Sequence, residues 1–153
     1  MIGYEFICAQ LALKAWQDGA NSGISGMLGV AFTIRNRIRA GWYDGNWIEI
    51  LSHHREWAAT DTPYSDVLPD PRDFSFKVIL QEVGGIFSGA RQDDVTIKVG
   101  GEAQRLSVAP PPALYYGRID EVDKWRPWFL ENISRNVEKH RIVAQVGMLH
   151  FWS

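Results

Sequence analysis

Few side chains in this sequence of 153 residues have the types and spacing that familiar enzyme chemistry requires. Zinc protease chemistry needs two histidines four positions apart, whereas the adjacent pair His53 and His54 would point to different faces of a helix. Ser25 lacks the glycine spacing of a serine-hydrolase elbow. Cys8 lies in an apolar helical pattern with no histidine nearby in sequence, which is typical of an inert core thiol. The sequence therefore predicts no metal site, and it contains no phosphate loop or dinucleotide-binding glycine motif.

The elements that must position any functional residue are mainly helical, and hydrophobic spacing predicts one domain over residues 1–153. The predicted helices cover Tyr4–Gln17, about Ser25 to Ala40, a short segment over 47–51 capped by Asn46, a segment that starts at Asp70-Pro71 and ends near Gly89, and Pro127–Ile133. The helix after Asp70-Pro71 is expected to bury Phe76, Ile79, Leu80, Val83 and Phe87.

A small β element is predicted late in the chain. Residues 90–112 have little helical periodicity, and Ala113–Tyr116 is a candidate strand. The tail from Arg141 to Trp152 is rich in β-branched and aromatic residues around Gly147, which favours two short strands. Together with the helices, these strands predict an α+β fold that is mainly α.

Three arginines, Arg35, Arg37 and Arg39, crowd the last turns of the second predicted helix, before a natural C-cap at Gly41. Cations there suit the negative end of the helix dipole. Because the three side chains alternate around the helix, we expect them to form a solvated face.

Composition excludes several classes of protein. The 16 basic and 18 acidic residues give a formal net charge of −2, so no net basic field favours nucleic acid as a partner. No apolar run approaches the ~20 residues that span a bilayer, and membrane insertion is not expected. A basic region followed by an apolar stretch is missing at the N-terminus, so no secretory signal is predicted. The single cysteine cannot form an internal disulfide.

Several short motifs, taken in order along the chain, resemble one family. The turn Trp16-Gln17-Asp18-Gly19-Ala20-Asn21 precedes a glycine-led apolar helix that closes in Asn36-Arg37. Later motifs are Ser88-Gly89, Asp94-Val95-Thr96, Ala113-Leu114-Tyr115-Tyr116, His140-Arg141-Ile142, Val146-Gly147 and His150-Phe151. In this order they resemble the cell-wall hydrolase family of the spore cortex-lytic enzyme type, over nearly the full chain. The segment Ile97–Pro112 looks like an insertion between two blocks that lie close in that family.

The resemblance implies a lysozyme-like or lytic-transglycosylase-like fold and cleavage of the glycan strands of peptidoglycan. It places the family's catalytic glutamate on Asp18, eighteen positions before the asparagine that closes the helix. Candidates for substrate contacts are Trp16, Asn36, Tyr115, Tyr116 and His150. Their alternative roles are structural: a backbone bond for the asparagine, strand packing for the tyrosines and a core position for the histidine.

A lytic transglycosylase needs only one carboxyl group, because the attacking hydroxyl belongs to the substrate and no separate water is activated. The aromatic residues around Trp16 could build the apolar pocket that such an acid requires. Aspartate carries its carboxyl group one methylene closer to the backbone than glutamate, and a displacement of ~1 Å can cost on the order of 10²-fold in rate. The alternative interpretation of Asp18 is a turn residue beside Gly19.

Two functions follow from these expectations. The first is a peptidoglycan glycosidase, a lytic transglycosylase or muramidase, that works with no metal and no cofactor. The second is a non-catalytic cell-wall-binding or structural domain that keeps the fold without the glutamate. A phage-associated origin suits both. A holin, a secretion machine or a particle would then deliver the chain from the cytoplasm or the virion to the wall.

Overall fold

The computed structural model describes residues 3–53, 58–59, 67–99, 102–105, 107, 113–118, 142–146 and 149–152. Most of these residues belong to four α-helices, which are α1 (Tyr4–Gly19), α2 (Gly23–Arg39), α3 (Trp47–His53) and α4 (Phe74–Ser88). A short 3₁₀ turn at Ala20–Ser22 connects α1 to α2, and a turn at Trp42–Gly45, in which Tyr43 and Asp44 have positive φ, connects α2 to α3. The described part of the chain is mainly helical, which confirms the mainly α class predicted from hydrophobic spacing.

Short strands in the described part form two sheets. The larger sheet has the order β1-β4-β6-β5 and consists of β1 (Ala58–Ala59), β4 (Tyr115–Arg118), β5 (Ile142–Val146) and β6 (Leu149–Trp152). β1 pairs with β4 in parallel, and the other pairs are antiparallel, with Tyr116 opposite Phe151. β2 (Thr96–Val99) and β3 (Glu102–Arg105) form a separate antiparallel hairpin.

α2 lies at the centre of the fold. Its sequence is apolar around nearly the whole circumference from Gly26 to Ile34, a pattern typical of a helix that is buried on all sides. Accordingly, every residue from Gly26 to Arg37 is buried. α1 and α4 pack against α2, and β4 and β5 also contact it. Phe151 of β6 lies so close to Gly29 that a Cβ there would be 2.6 Å from the ring.

The turn between α1 and α2 brings two glycines into contact. A Cβ at Gly19 would lie 2.6 Å from the Cα of Met27 and 2.7 Å from the backbone of Gly26. A Cβ at Gly26 would in turn lie 2.6 Å from the carbonyl oxygen of Gly19. Because these neighbours are backbone atoms, no side-chain rotation can make room. The contact therefore fixes the end of α1, with Asp18, against the first turn of α2.

The start of α4 differs from the prediction. Asp73, and not Asp70, is the N-cap, since its Oδ1 accepts a hydrogen bond of 2.9 Å from the backbone N–H of Phe76. Asp70 closes the preceding turn. Its carbonyl oxygen accepts from the N–H of Asp73 at 2.8 Å, and its carboxylate accepts from the N–H of Arg72 at 2.8 Å. The helix consequently begins about one turn later than expected.

Two other expectations differ from the structure. Leu80 is 45% exposed and not buried, because α4 turns the face with Ile79, Val83 and Ile86 towards the core. The hairpin of β2 and β3 lies within the segment 90–112, for which the sequence analysis predicts no strand. The predicted helix over Pro127–Ile133 lies outside the described residues.

Replacement of Gly19 by alanine is expected to destabilise the fold by about 2 kcal/mol or more, because the new methyl group would collide with backbone atoms of α2. Urea unfolding followed by circular dichroism measures this loss as a lower midpoint. Gly3→Ala is the matched control, since a Cβ at Gly3 meets nothing within 4 Å, and its free energy of unfolding should fall by less than ~1 kcal/mol, as for a change at a helix N-cap. Equal stability of the two variants would contradict the close contact between α1 and α2.

Candidate functional site

Asp18, the candidate acid, lies in the last turns of α1 with a side chain that is only 1% exposed. The hydroxyl group of Tyr116, 98 positions later in the chain, donates a hydrogen bond of 2.6 Å to Oδ2 of Asp18. A bond of this length is typical of a hydroxyl donor and a carboxylate acceptor. Next to Asp18, Gln17 donates from Nε2 to the carbonyl oxygen of Val67 at 3.0 Å. The end of α1 is thus tied both to the sheet and to the segment before α4.

Tyr116 reaches Asp18 from the middle of the larger sheet. Its side chain is 2% exposed, and its ring packs against that of Phe151, the residue opposite it in β6, with 6.1 Å between the ring centres. The guanidinium carbon of Arg37 lies 5.5 Å from the centre of the Tyr116 ring. Packing on the ring therefore fixes the direction in which the hydroxyl group points.

Arg37 is fully buried, which contradicts the expected solvated face. Its Nε donates a hydrogen bond of 2.7 Å to the carbonyl oxygen of Leu114, and its guanidinium carbon lies 5.3 Å from the centre of the Trp42 ring. Burying a charge is costly unless hydrogen bonds or aromatic faces compensate it, and Arg37 has both. Arg37 lies three positions after Ile34 and seven after Val30, so the apolar stripe itself could have placed it in the core.

Asn36 is buried as well, at 3% exposure. Its Nδ2 donates a hydrogen bond of 2.9 Å to the carbonyl oxygen of Ala113, two residues before β4. Asn36 therefore bonds backbone at the entry to the sheet. Its contact with the chain just ahead of Tyr116 makes it a positioning residue for the same site.

The remaining candidates are Trp16, Tyr115 and His150. Trp16 is 4% exposed and packs edge-to-face on Phe76 of α4, with 6.5 Å between the ring centres. Tyr115 lies in β4 opposite Trp152, and His150 lies in β6 opposite Gly117. The structure thus brings Asp18, Asn36 and Tyr116 into one buried cluster, to which it adds Arg37, and it places Trp16 in the packing between α1 and α4.

Other reactive groups have ordinary surroundings. Among the residues that the structure describes, no three His, Cys, Asp or Glu side chains are grouped so that they could hold a metal ion. His53 stacks on Tyr43, with 5.2 Å between the ring centres, and its Nε2 lies 3.5 Å from the carboxylate of Glu49. Burial raises the pKa of the Cys8 thiol, and Cys8 lies in the apolar core as the sequence analysis expects.

Comparison of the chain with family models, with curated proteins and with solved structures found no match. In the described segments, the helices are too short or too polar to cross a bilayer. A function must therefore be inferred from the geometry of the Asp18 cluster and from the sequence motifs that contain its residues.

Replacement of Tyr116 by phenylalanine removes the hydroxyl group that bonds Asp18 and leaves the rest of the packing in place. Because a buried acceptor that loses its donor costs ~1–3 kcal/mol, we expect the free energy of unfolding to fall by about 2 kcal/mol. Urea unfolding at neutral pH measures the change. Tyr4→Phe, at a residue that is 52% exposed, serves as the control and should shift stability by at most ~0.5 kcal/mol. A Tyr116→Phe variant as stable as this control would contradict the contact.

Proposed function

We propose that this chain cleaves the glycan strands of peptidoglycan as a lytic transglycosylase or muramidase of lysozyme-like fold, with Asp18 as its single acid and base. The observation that carries the proposal is the hydrogen bond of 2.6 Å between Tyr116 and Asp18. Both residues belong to segments that resemble wall hydrolases, and they meet across 98 positions of the chain. The mainly helical architecture with a small sheet beside the acid supports the same proposal.

In the proposed reaction, Asp18 donates its proton to the glycosidic oxygen as the bond to the anomeric carbon breaks. The resulting carboxylate then takes the proton of a hydroxyl group of the same muramic acid, and that oxygen attacks the anomeric carbon to close an anhydro ring. Tyr116 and Arg37 act as positioning residues, because the hydroxyl group of Tyr116 orients the carboxylate and Arg37 supports the Tyr116 ring. The reaction as proposed uses no metal and no cofactor.

A second function is favoured by the burial of Asp18. With 1% of its side chain exposed and Tyr116 bonded to it, Asp18 is placed as a clamp between α1 and the sheet. A clamp of this kind holds a fold together whether or not a glycan reaches it. This observation supports a non-catalytic domain, phage-associated or cellular, that binds the wall or serves a particle or secretion machine as a structural part.

The two functions predict different results for a substitution series at Asp18, measured as clearing of purified sacculi. For the enzyme, Asp18→Asn removes the titrating proton and should lower clearing by ~10²–10⁴-fold, the effect of losing a general acid. Asp18→Glu restores the reach of a glutamate and should preserve or raise clearing, provided that its melting temperature stays near that of the parent chain. Asp70→Asn, at an exposed carboxylate paired with Arg72, is the control and should leave clearing unchanged.

If the parent chain clears sacculi and the Asp18→Asn variant clears them equally well, Asp18 is not the acid. If the parent chain and all three variants fail to clear sacculi, the enzyme proposal is wrong. Co-sedimentation with the same sacculi then decides the second function, since a wall-binding domain pellets with them and a purely structural part stays in solution. Tyr116→Phe completes the series. If the contact between Tyr116 and Asp18 only holds the fold together, this variant changes stability and leaves the clearing of sacculi unchanged.

The products distinguish a transglycosylase from a hydrolase. If Asp18 acts as both acid and base, mass spectra of the digested sacculi should contain muropeptides that end in 1,6-anhydro sugars. Reducing ends alone would mean that water is the nucleophile and that a second carboxylate is required. Candidates for that carboxylate are Glu82, which is ion-paired with Arg91, and Glu56, which lies outside the described residues.

A further inference from the structure

A cavity of about 210 Å³ lies beside α2, and its described lining contains no residue of the Asp18 cluster. It is lined by four arginines, Arg35, Arg39, Arg91 and Arg105, together with Asp93, Ser107 and two further residues. Arg35 and Arg37 are two positions apart in an α-helix, so their side chains leave α2 in directions that differ by roughly 200°. This arginine cavity is therefore distinct from the site that contains Tyr116 and Asp18.

The carboxylates around the cavity are already engaged. Glu82 and Asp94 both pair with Arg91, so these three side chains together carry one net negative charge. Asp93 is 5% exposed and accepts hydrogen bonds from the backbone N–H groups of Val95 and Ser107. Its carboxylate is thus held by backbone donors, and among the described residues that line the cavity it is the single acidic one.

The other three arginines keep their charge directed at the cavity. Arg39 and Arg105 are exposed, and neither has an ion-pair partner within the described part of the chain. Gly89 leaves room for Arg39, because a Cβ at that position would lie 3.3 Å from its Nη2. Gly89 also adopts φ 82°, a conformation that side chains rarely allow. With Asp93 and the two carboxylates on Arg91 counted, four guanidinium groups meet three carboxylates, which leaves an excess of one positive charge among the described residues at the cavity.

Arg35 is the built-in part of this cavity. It is 5% exposed, and its hydrogen bonds run to neutral acceptors, the carbonyl oxygen of Arg91 and the Oγ of Ser107, both at 3.3 Å. Its Nε has no partner among the described residues. Burial, followed by repulsion from Arg39, lowers the pKa of Arg35, whereas Asp93 opposes this shift. A buried guanidinium group with long, neutral hydrogen bonds is incompletely compensated, and an oxyanion is the ligand that compensates it best.

We propose that the arginine cavity binds a small oxyanion, a phosphate or a carboxylate group, through Arg35, Arg39 and Arg105. The planar fork of donors on each guanidinium group matches both kinds of oxyanion. Arg35 supplies a fixed, desolvated contact at the base of the cavity, where it also stacks 4.7 Å from the centre of the Phe32 ring. Arg39 and Arg105 supply exposed contacts at the rim, where their positive charge attracts the anion from solvent.

The test is a titration of the full chain with sodium phosphate, followed by calorimetry and by thermal unfolding at constant pH. Sodium chloride at matched ionic strength is the reference, and sodium acetate is the second arm. Saturable binding of phosphate with a higher melting temperature is expected, and a comparable response to acetate would extend the ligand to carboxylates. A response to acetate alone would assign the site to carboxylates. No response to either anion beyond that of chloride would overturn the proposal.

Variants at the rim connect the binding to the cavity without disturbing the core. Arg39→Gln with Arg105→Gln removes both exposed contacts and should weaken anion binding by about tenfold or more. Arg72→Gln, at an exposed arginine on the segment before α4 that does not line the cavity, is the matched control and should bind like the parent chain. Arg35→Lys keeps the positive charge but loses the planar fork of guanidinium donors. If its unfolding midpoint equals that of the parent chain, it should also bind the anion more weakly. Equal anion affinity in the rim variant and the control would place the binding elsewhere and contradict the proposal.

Discussion

Two hydrogen bonds from the end of α2 hold the sheet in place, and the candidate site depends on them. Asn36 donates to the carbonyl oxygen of Ala113, and Arg37 donates to that of Leu114. Two consecutive residues of the helix are thus hydrogen-bonded to two consecutive residues of the chain before β4. Only with this segment fixed does Tyr116 come within 2.6 Å of Asp18. Because a buried carbonyl without a partner is costly, the two donors stabilise one particular approach of strand to helix.

The burial of α2 on all sides explains why its polar residues are so informative. A charged side chain in such a helix must find compensation within the protein, and the two buried arginines find it differently. Arg37 lies between the aromatic faces of Trp42 and Tyr116 and bonds a carbonyl oxygen. Arg35 has one aromatic face, neutral acceptors at 3.3 Å and a cavity beside it. The first arrangement places the guanidinium group between two rings, and the second leaves a place for an anion.

Local signals predicted the helices better than the contacts between them. Asn46 caps α3, with its Oδ1 accepting from the N–H of Ile48 at 3.0 Å, because capping depends on neighbours in sequence. The start of α4 was misplaced because Asp70 and Asp73 are both good caps, and only packing selects the second. The hairpin of β2 and β3 has one signal in the sequence, the pair Gly100-Gly101 between its strands. This pair favours a turn between two strands, and helical periodicity does not reveal it. The burial of Arg35 and Arg37 was not predicted, because charge alone favours solvent and their compensating contacts come from distant parts of the chain.

The site shows the same division between local pattern and tertiary contact. The resemblance singled out Asp18 and Tyr116 separately, but no spacing rule in the sequence relates residues 98 positions apart. Their contact also gives the shorter side chain of aspartate a physical meaning. A carboxylate that must meet a hydroxyl group inside the fold needs a fixed position close to the backbone, whereas an acid that must reach a sugar gains from a longer side chain. Aspartate at the end of α1 satisfies the first requirement directly. In the proposed reaction, it satisfies the second only if a glycan displaces the hydroxyl group of Tyr116 or reaches the carboxylate beside it.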